Sequence, residues 1–210
     1  MLGYNSIMDF LYSVLLSLPA ILIAISFHEW AHAFAAYKLG DSTAKNMGRL
    51  SLDPIGFIAL VIVGFGWAKP VMVNSNNFKR RRIDDTIVSL AGPFTNLILS
   101  FLSLGLWFLV VFGFGLYNPI VSTIIMNMVY INIALFVFNL IPLPPLDGYH
   151  VLKNSLLGKV RPDKFWKIES FGPLFLLALF ILLRFTGVLS VVTGFVFNVI
   201  NSFYVAILGI

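Results

Sequence analysis

His28, Glu29 and His32 stand together near the end of an apolar run that begins at about Phe10. Ionisable side chains are costly among hydrocarbon, so three of them amid Leu, Ile, Ala and Phe point to a function. If the stretch is helical, His28 and His32 lie on one face, one turn apart. Two imidazoles so spaced can grip one metal ion, with Glu29 beside them as a base. The HExxH pattern alone is only moderately specific. Its plain alternative is a pair of core histidines satisfied by neighbouring helices, which would require several separate polar partners.

The elements that must position these residues are set by composition. The chain has 210 residues, 59% hydrophobic and 11% charged, with a mean hydropathy of +0.94. A soluble domain carries roughly a quarter charged residues, so this is an integral membrane protein. The stretch over residues 8–37 is too long for a secretory leader and lacks a basic segment before it. Cysteine is absent, so any metal must use His and carboxylate ligands. The net charge of +5 comes from basic residues in short loops beside apolar segments. That is a pattern of membrane topology and not of nucleic-acid binding.

The expected fold is an all-α polytopic membrane protein with about five to six transmembrane segments. A first span over residues 9–39 closes at Gly40-Asp41-Ser42, and Ala31, Ala33, Ala35 and Ala36 let another helix approach it. Residues 43–77 hold an apolar core, 55–65, too short for the roughly 20 residues a span needs. A re-entrant or β-hairpin element is expected there, with extended chain around Val71-Met72-Val73; a surface hairpin without function fits the length equally. Further spans are expected over 86–112 and 120–141, then a proline-rich break at 142–148 and a basic stretch over 153–167. Closing spans follow at 171–183 and 188–208. The whole is one domain, 1–210, with a catalytic core at about 9–158 and closing helices at 168–210. Cytoplasmic loops at 38–82 and 149–167 put every Lys and Arg except Arg184 on one side, as the positive-inside rule asks. The N-terminus is then outside, and His28 and the proline-rich break share a depth near the cytoplasmic face.

A catalytic zinc takes three protein ligands and keeps one position open. The third can be sought by elimination among one other histidine and the acidic residues. His150, Asp163 and Glu169 belong to the basic interfacial stretch, and Asp9 lies across the membrane. Asp84 and Asp85 sit beside arginines, where ion pairing suffices, and Asp41 ends a helix. Asp53 and Asp147 remain, and Asp147 is the better placed. Pro142, Pro144 and Pro145 must unwind the helix before it. Unwound backbone at membrane depth is tolerated only when buried in protein or lining a watery cavity. Gly148 permits a tight bend after it, although an ordinary turn would use the same residues. Glu29 is then the general base and acid. Asn96 and Asn139 each either glue helices or point into the site, while Asn127 and Asn132 are read as packing residues.

Together, Phe27-His28-Glu29-Trp30-Ala31-His32, Gly92-Pro93-Phe94-Thr95-Asn96, and Asn139 through Asp147-Gly148 resemble the motifs of the site-2 protease family of intramembrane zinc metalloproteases. The segments Gly48-Arg49-Leu50, Asp53-Pro54-Ile55-Gly56 and Trp67-Ala68-Lys69-Pro70 resemble its short bacterial branch without a PDZ domain. The likeness runs over about residues 20–155. It implies one zinc per chain held by His28, His32 and Asp147, with Glu29 catalytic. It also implies that Asn96 assists near the scissile carbonyl as an oxyanion donor, and that residues 55–73 hold an extended substrate by strand addition.

The implied function is regulated intramembrane proteolysis, hydrolysing peptide bonds in or beside transmembrane segments of other proteins in a bacterial cell membrane. The implied partners are a membrane-protein or peptide substrate and the lipid bilayer, with no nucleic acid. A second reading is a non-catalytic metal-binding protein of the same fold that binds partner helices. A metal-ion transporter would place acids or histidines along several spans, and none occurs after Phe171.

Overall fold

The computed structural model describes residues 7–48 and 72–209. Among them run α1 (Ile7–Lys38), α2 (Thr43–Asn46), α3 (Arg81–Phe108), α4 (Pro119–Asn139), α5 (Asp147–Leu156), α6 (Pro162–Ser170), α7 (Gly172–Thr186) and α8 (Val188–Leu208). A 3-10 turn at Ser75–Asn77 precedes α3, and a π turn at Leu109–Gly113 extends it. No strand forms among the described residues. The expected re-entrant or β-hairpin element lies largely outside them; its described ends are α2 and the 3-10 turn.

Among the described residues, four helices are long and apolar enough to cross a membrane: α1, α3 with its π extension, α4 and α8. A fifth span arises only if α6 and α7, bent by 55° at their junction, count as one. The protein is an all-α polytopic membrane protein. The basic stretch expected as loop is instead two short helices, α5 and α6. Helix α3 also begins earlier than the apolar run suggests. Asp84, 2% exposed, takes the Arg80 N–H at 2.9 Å and its guanidinium at 3.1 Å. An acid in the first turn favours the helix start, and the arginine run is drawn into it.

Helices α1, α3 and α4 pack on one another. The buried residues of α1 include Ala20, Ala24, His28 and His32, one stripe at four-residue intervals. Its large residues face outward: Ile7 is 75% exposed and Leu15 62%, as suits lipid contact. Small residues permit close helix approach where lipid offers no hydrophobic drive. Away from the histidines, Leu104, Phe108, Val129, Ile133 and Ile200 form the apolar core. There the Tyr204 hydroxyl donates to the Phe101 carbonyl at 2.9 Å and seats α8 on α3.

Two polar ties brace the frame. Asn127 Nδ2 reaches the Leu16 carbonyl and Ser17 Oγ at 3.3 and 3.2 Å, joining α4 to α1. Such interhelical bonds contribute about 0.6–2 kcal/mol. Past the end of α1, fully buried Asp41 accepts from Thr43 N–H and hydroxyl, Asn74 N–H and Asn77 Nδ2 at 2.5–3.1 Å. Burial alone would raise the Asp41 pKa, but these donors hold it below the ordinary 3.8.

Between α4 and α5 the three prolines supply no N–H. The chain is held by short bonds instead, Leu143 N–H to the Ile141 carbonyl at 2.8 Å and Leu146 N–H to the Leu143 carbonyl at 2.9 Å. A Cβ on Gly148 would stand 2.8 Å from the Ile141 carbonyl oxygen and nearer still to that of Leu140. Only glycine lets α5 begin pressed against the end of α4. That contact sets the position of Asp147.

Candidate metal centre

The two imidazoles of α1 rest on bare backbone. A Cβ on Gly92 of α3 would lie 2.7 Å from His28 Nε2 and closer yet to His32 Nε2. The glycine of the Gly92-Pro93 pair therefore makes room for both rings. From the far side, the start of α5 brings in Asp147. Its Oδ2 lies 3.2 Å from His28 Nε2, and its Oδ1 lies 3.4 Å from His32 Nε2. The two Nε2 atoms are 3.0 Å apart. These three residues form a cluster able to hold a metal ion.

The hydrogen bonds behind the rings fix their tautomers. His32 Nδ1 lies 2.7 Å from the Val88 carbonyl, which can only accept, so Nδ1 carries the hydrogen. His28 Nδ1 lies 2.6 Å from Asn96 Oδ1 and likewise donates. Each neutral ring then turns an Nε2 lone pair toward the centre. Asp147 Oδ2 is buried and accepts no hydrogen bond there. Acceptors thus face acceptors with no donor between them, and a cation resolves the repulsion. Tetrahedral ligands at Zn–N distances of ~2.0–2.1 Å stand about 3.3 Å apart. The separations here, 3.0 to 3.4 Å, fit that group.

The cluster opens into a cavity of about 410 Å³ whose lining includes Glu29, Asn139 and His150. Glu29 lines the same cavity as the cluster. His150 lines the cavity without joining the cluster. Asn139 Nδ2 donates to the Leu135 carbonyl at 3.0 Å. Asp53, the rival ligand, lies outside the described residues.

Asn96 departs from its expected role. It is 0% exposed, and its Nδ2 donates to the Ala24 carbonyl at 3.1 Å and to Asn132 Oδ1 at 2.8 Å. With both amide hydrogens engaged, it has none for a substrate oxyanion. It supports His28 from behind. Asp85 also departs from expectation. It accepts from Ser75 Oγ and Asn154 Nδ2, each at 2.7 Å, rather than from the neighbouring arginines, and so ties α5 to α3 at the cavity wall. The Val88 carbonyl had no sequence signal, because every residue has one. Gly92 did have one, as a glycine one turn before Asn96 on the same helix face.

A polytopic helical membrane protein in which two buried histidines and a partly buried aspartate could hold a metal ion, with a glutamate lining the same cavity, fits the class of membrane metallohydrolases. The model of Peptidase family M50 matches residues 116–183. A Bacillus subtilis protein named "Putative zinc metalloprotease YwhC" is 39% identical over 191 residues, covering 82% of this chain and 84% of that one. A Mycobacterium tuberculosis protein named "Putative zinc metalloprotease Rip2" is 32% identical over 179 residues, 76% of this chain and 64% of its own length. A Methanocaldococcus jannaschii protein named "Putative zinc metalloprotease MJ0611" is 31% identical over 150 residues, 66% of this chain and 70% of its own. No solved structure matches the chain significantly. The chain belongs to peptidase family M50, the site-2 protease family. It is a metalloprotease of the membrane, and its cofactor is zinc.

Proposed function

We propose that this protein hydrolyses peptide bonds in or beside transmembrane segments of other membrane proteins, with His28, His32 and Asp147 as ligands of one zinc and Glu29 as general base and acid. The reading rests on one observation above all: two Nε2 lone pairs and a carboxylate converge beside Glu29 at one cavity. Zinc, when bound there, supplies Lewis acidity toward water and a substrate carbonyl. The two imidazoles of α1 and Asp147 of α5 would bind it. The Glu29 carboxylate takes a proton from the attacking water and gives it to the leaving amine nitrogen. The substrate enters as unwound chain, because a helix about 10 Å across buries its own carbonyls in hydrogen bonds. The work is regulated intramembrane proteolysis in a bacterial cell membrane, with the site toward the cytoplasm and the N-terminus outside. One domain, 1–210, does this, its core at about 9–158 closed by the helices of 168–210.

Glu29→Gln is the direct test, made by co-expression with a membrane-protein substrate. Cleavage should fall by at least the ~10²–10⁴-fold typical of a lost acid–base group, while purified protein keeps its zinc. Cleavage at the wild-type rate would remove Glu29 from the mechanism.

A further inference from the structure

Behind His28 a line of amides runs through three helices. Asn132 on α4 gives an Nδ2 hydrogen to the Met128 carbonyl at 2.8 Å. A carbonyl only accepts, so this bond fixes the amide and leaves Asn132 Oδ1 for Asn96. Asn96 on α3 donates to that oxygen and to the Ala24 carbonyl of α1. Its own Oδ1 is thereby turned to His28 Nδ1, which must donate. Two main-chain carbonyls, Met128 and Ala24, therefore set the polarity of the whole line. Both asparagines are fully buried, in surroundings where unmatched polar atoms are costly.

We propose that Asn132 and Asn96 form a positioning relay that holds His28 as the Nδ1–H tautomer, its Nε2 lone pair aimed at the zinc. The inference rests on His28 being a ligand, as proposed above. Neither asparagine lines the cavity; both act through His28. Outer partners of this kind fix ring orientation and raise ligand basicity. His32 reaches the same state from a main-chain oxygen that no substitution removes. His28 depends on side chains of two other helices. Asn132 is thus more than a packing residue, and zinc affinity becomes a reporter of how α4 sits.

Asn127 is a built-in control, since it ties the same helix to α1 through Leu16 and Ser17 and has no bond toward His28. The measurement is competition for zinc by a chelator in the purified full chain, with thermal melting alongside. Asn96→Ala should weaken zinc binding by about 10–100-fold. Asn132→Ala should weaken it in the same direction, and Asn127→Ala should leave it unchanged. Asn96→Asp keeps an acceptor for His28 Nδ1 and should retain zinc better than Asn96→Ala. Wild-type affinity in Asn96→Ala or Asn132→Ala overturns the relay. So does an equal loss in Asn127→Ala, which would mean general packing damage. If Asn96→Ala does not fold, Asn132→Ala against Asn127→Ala decides the matter. Full zinc affinity in His28→Ala would instead overturn the ligand assignment, a result distinguishable from a failed relay.

Discussion

Gly92 and His28 stand so close that no methyl fits between the α3 backbone and the imidazole. Gly92→Ala must therefore push an imidazole aside or part the helices. Overpacking of this kind costs about 1–3 kcal/mol. The variant should purify with reduced zinc and melt at a lower temperature than wild type. Wild-type zinc content and melting would show that the rings have room to move.

Asp147, the proposed third ligand, comes from a separate helix. Asp147→Ala should weaken zinc by more than the ~10–100-fold typical of losing an outer partner. Zinc at ~100 times its Kd stabilises a folded protein by about 2.7 kcal/mol. Added zinc should therefore raise the melting temperature of chelator-stripped wild type and leave Asp147→Ala unmoved. Equal responses from the two proteins would place the metal elsewhere.

Asp41 predicts an acid-sensitive tie. Its folded pKa is below the ordinary value of 3.8, so the unfolded chain takes up a proton first as pH falls. The stabilisation is complete above the unfolded value and is lost as pH drops through the folded one. Asp41→Asn should melt below wild type at neutral pH, and the gap should close below about pH 4. Melting curves across that range are the check; a gap that widens in acid would contradict the sign.

Topology can be read with single cysteines, because the chain has none of its own. Lys159, in the turn after α5, and Leu116, between α3 and α4, are both exposed. Lys159→Cys should react with a membrane-impermeant thiol reagent only after cells are opened. Leu116→Cys should react in intact cells. The reverse pattern would invert the orientation.

Much of the frame was legible because it follows from one-dimensional pattern. The last span was expected at 188–208, where α8 runs, and the third at 120–141, close to Pro119–Asn139. Hydropathy marks such ends well. It failed at Arg81, where a buried Asp84 extends a helix beyond its apolar run. Elimination among carboxylates led to Asp147 because so few acids occur in the chain. The supports behind the histidines were another matter. Asn96 was expected to glue helices or to assist at the scissile carbonyl, and Asn132 to pack, because sequence gives a residue's type but not what lies behind it. The Val88 carbonyl was invisible outright.

The bonds of Asp41 to Thr43, Asn74 and Asn77 have a consequence for engineering and for evolution. The chain leaves α1 and returns toward α3 at a single socket. Thr43 and Asn74 are thus held at one point whatever the length of sequence between them, and a longer stretch there would add only about 0.6 kcal/mol per doubling in closure entropy. Changes of length between those two residues should therefore leave the histidines of α1 in their seat against Gly92.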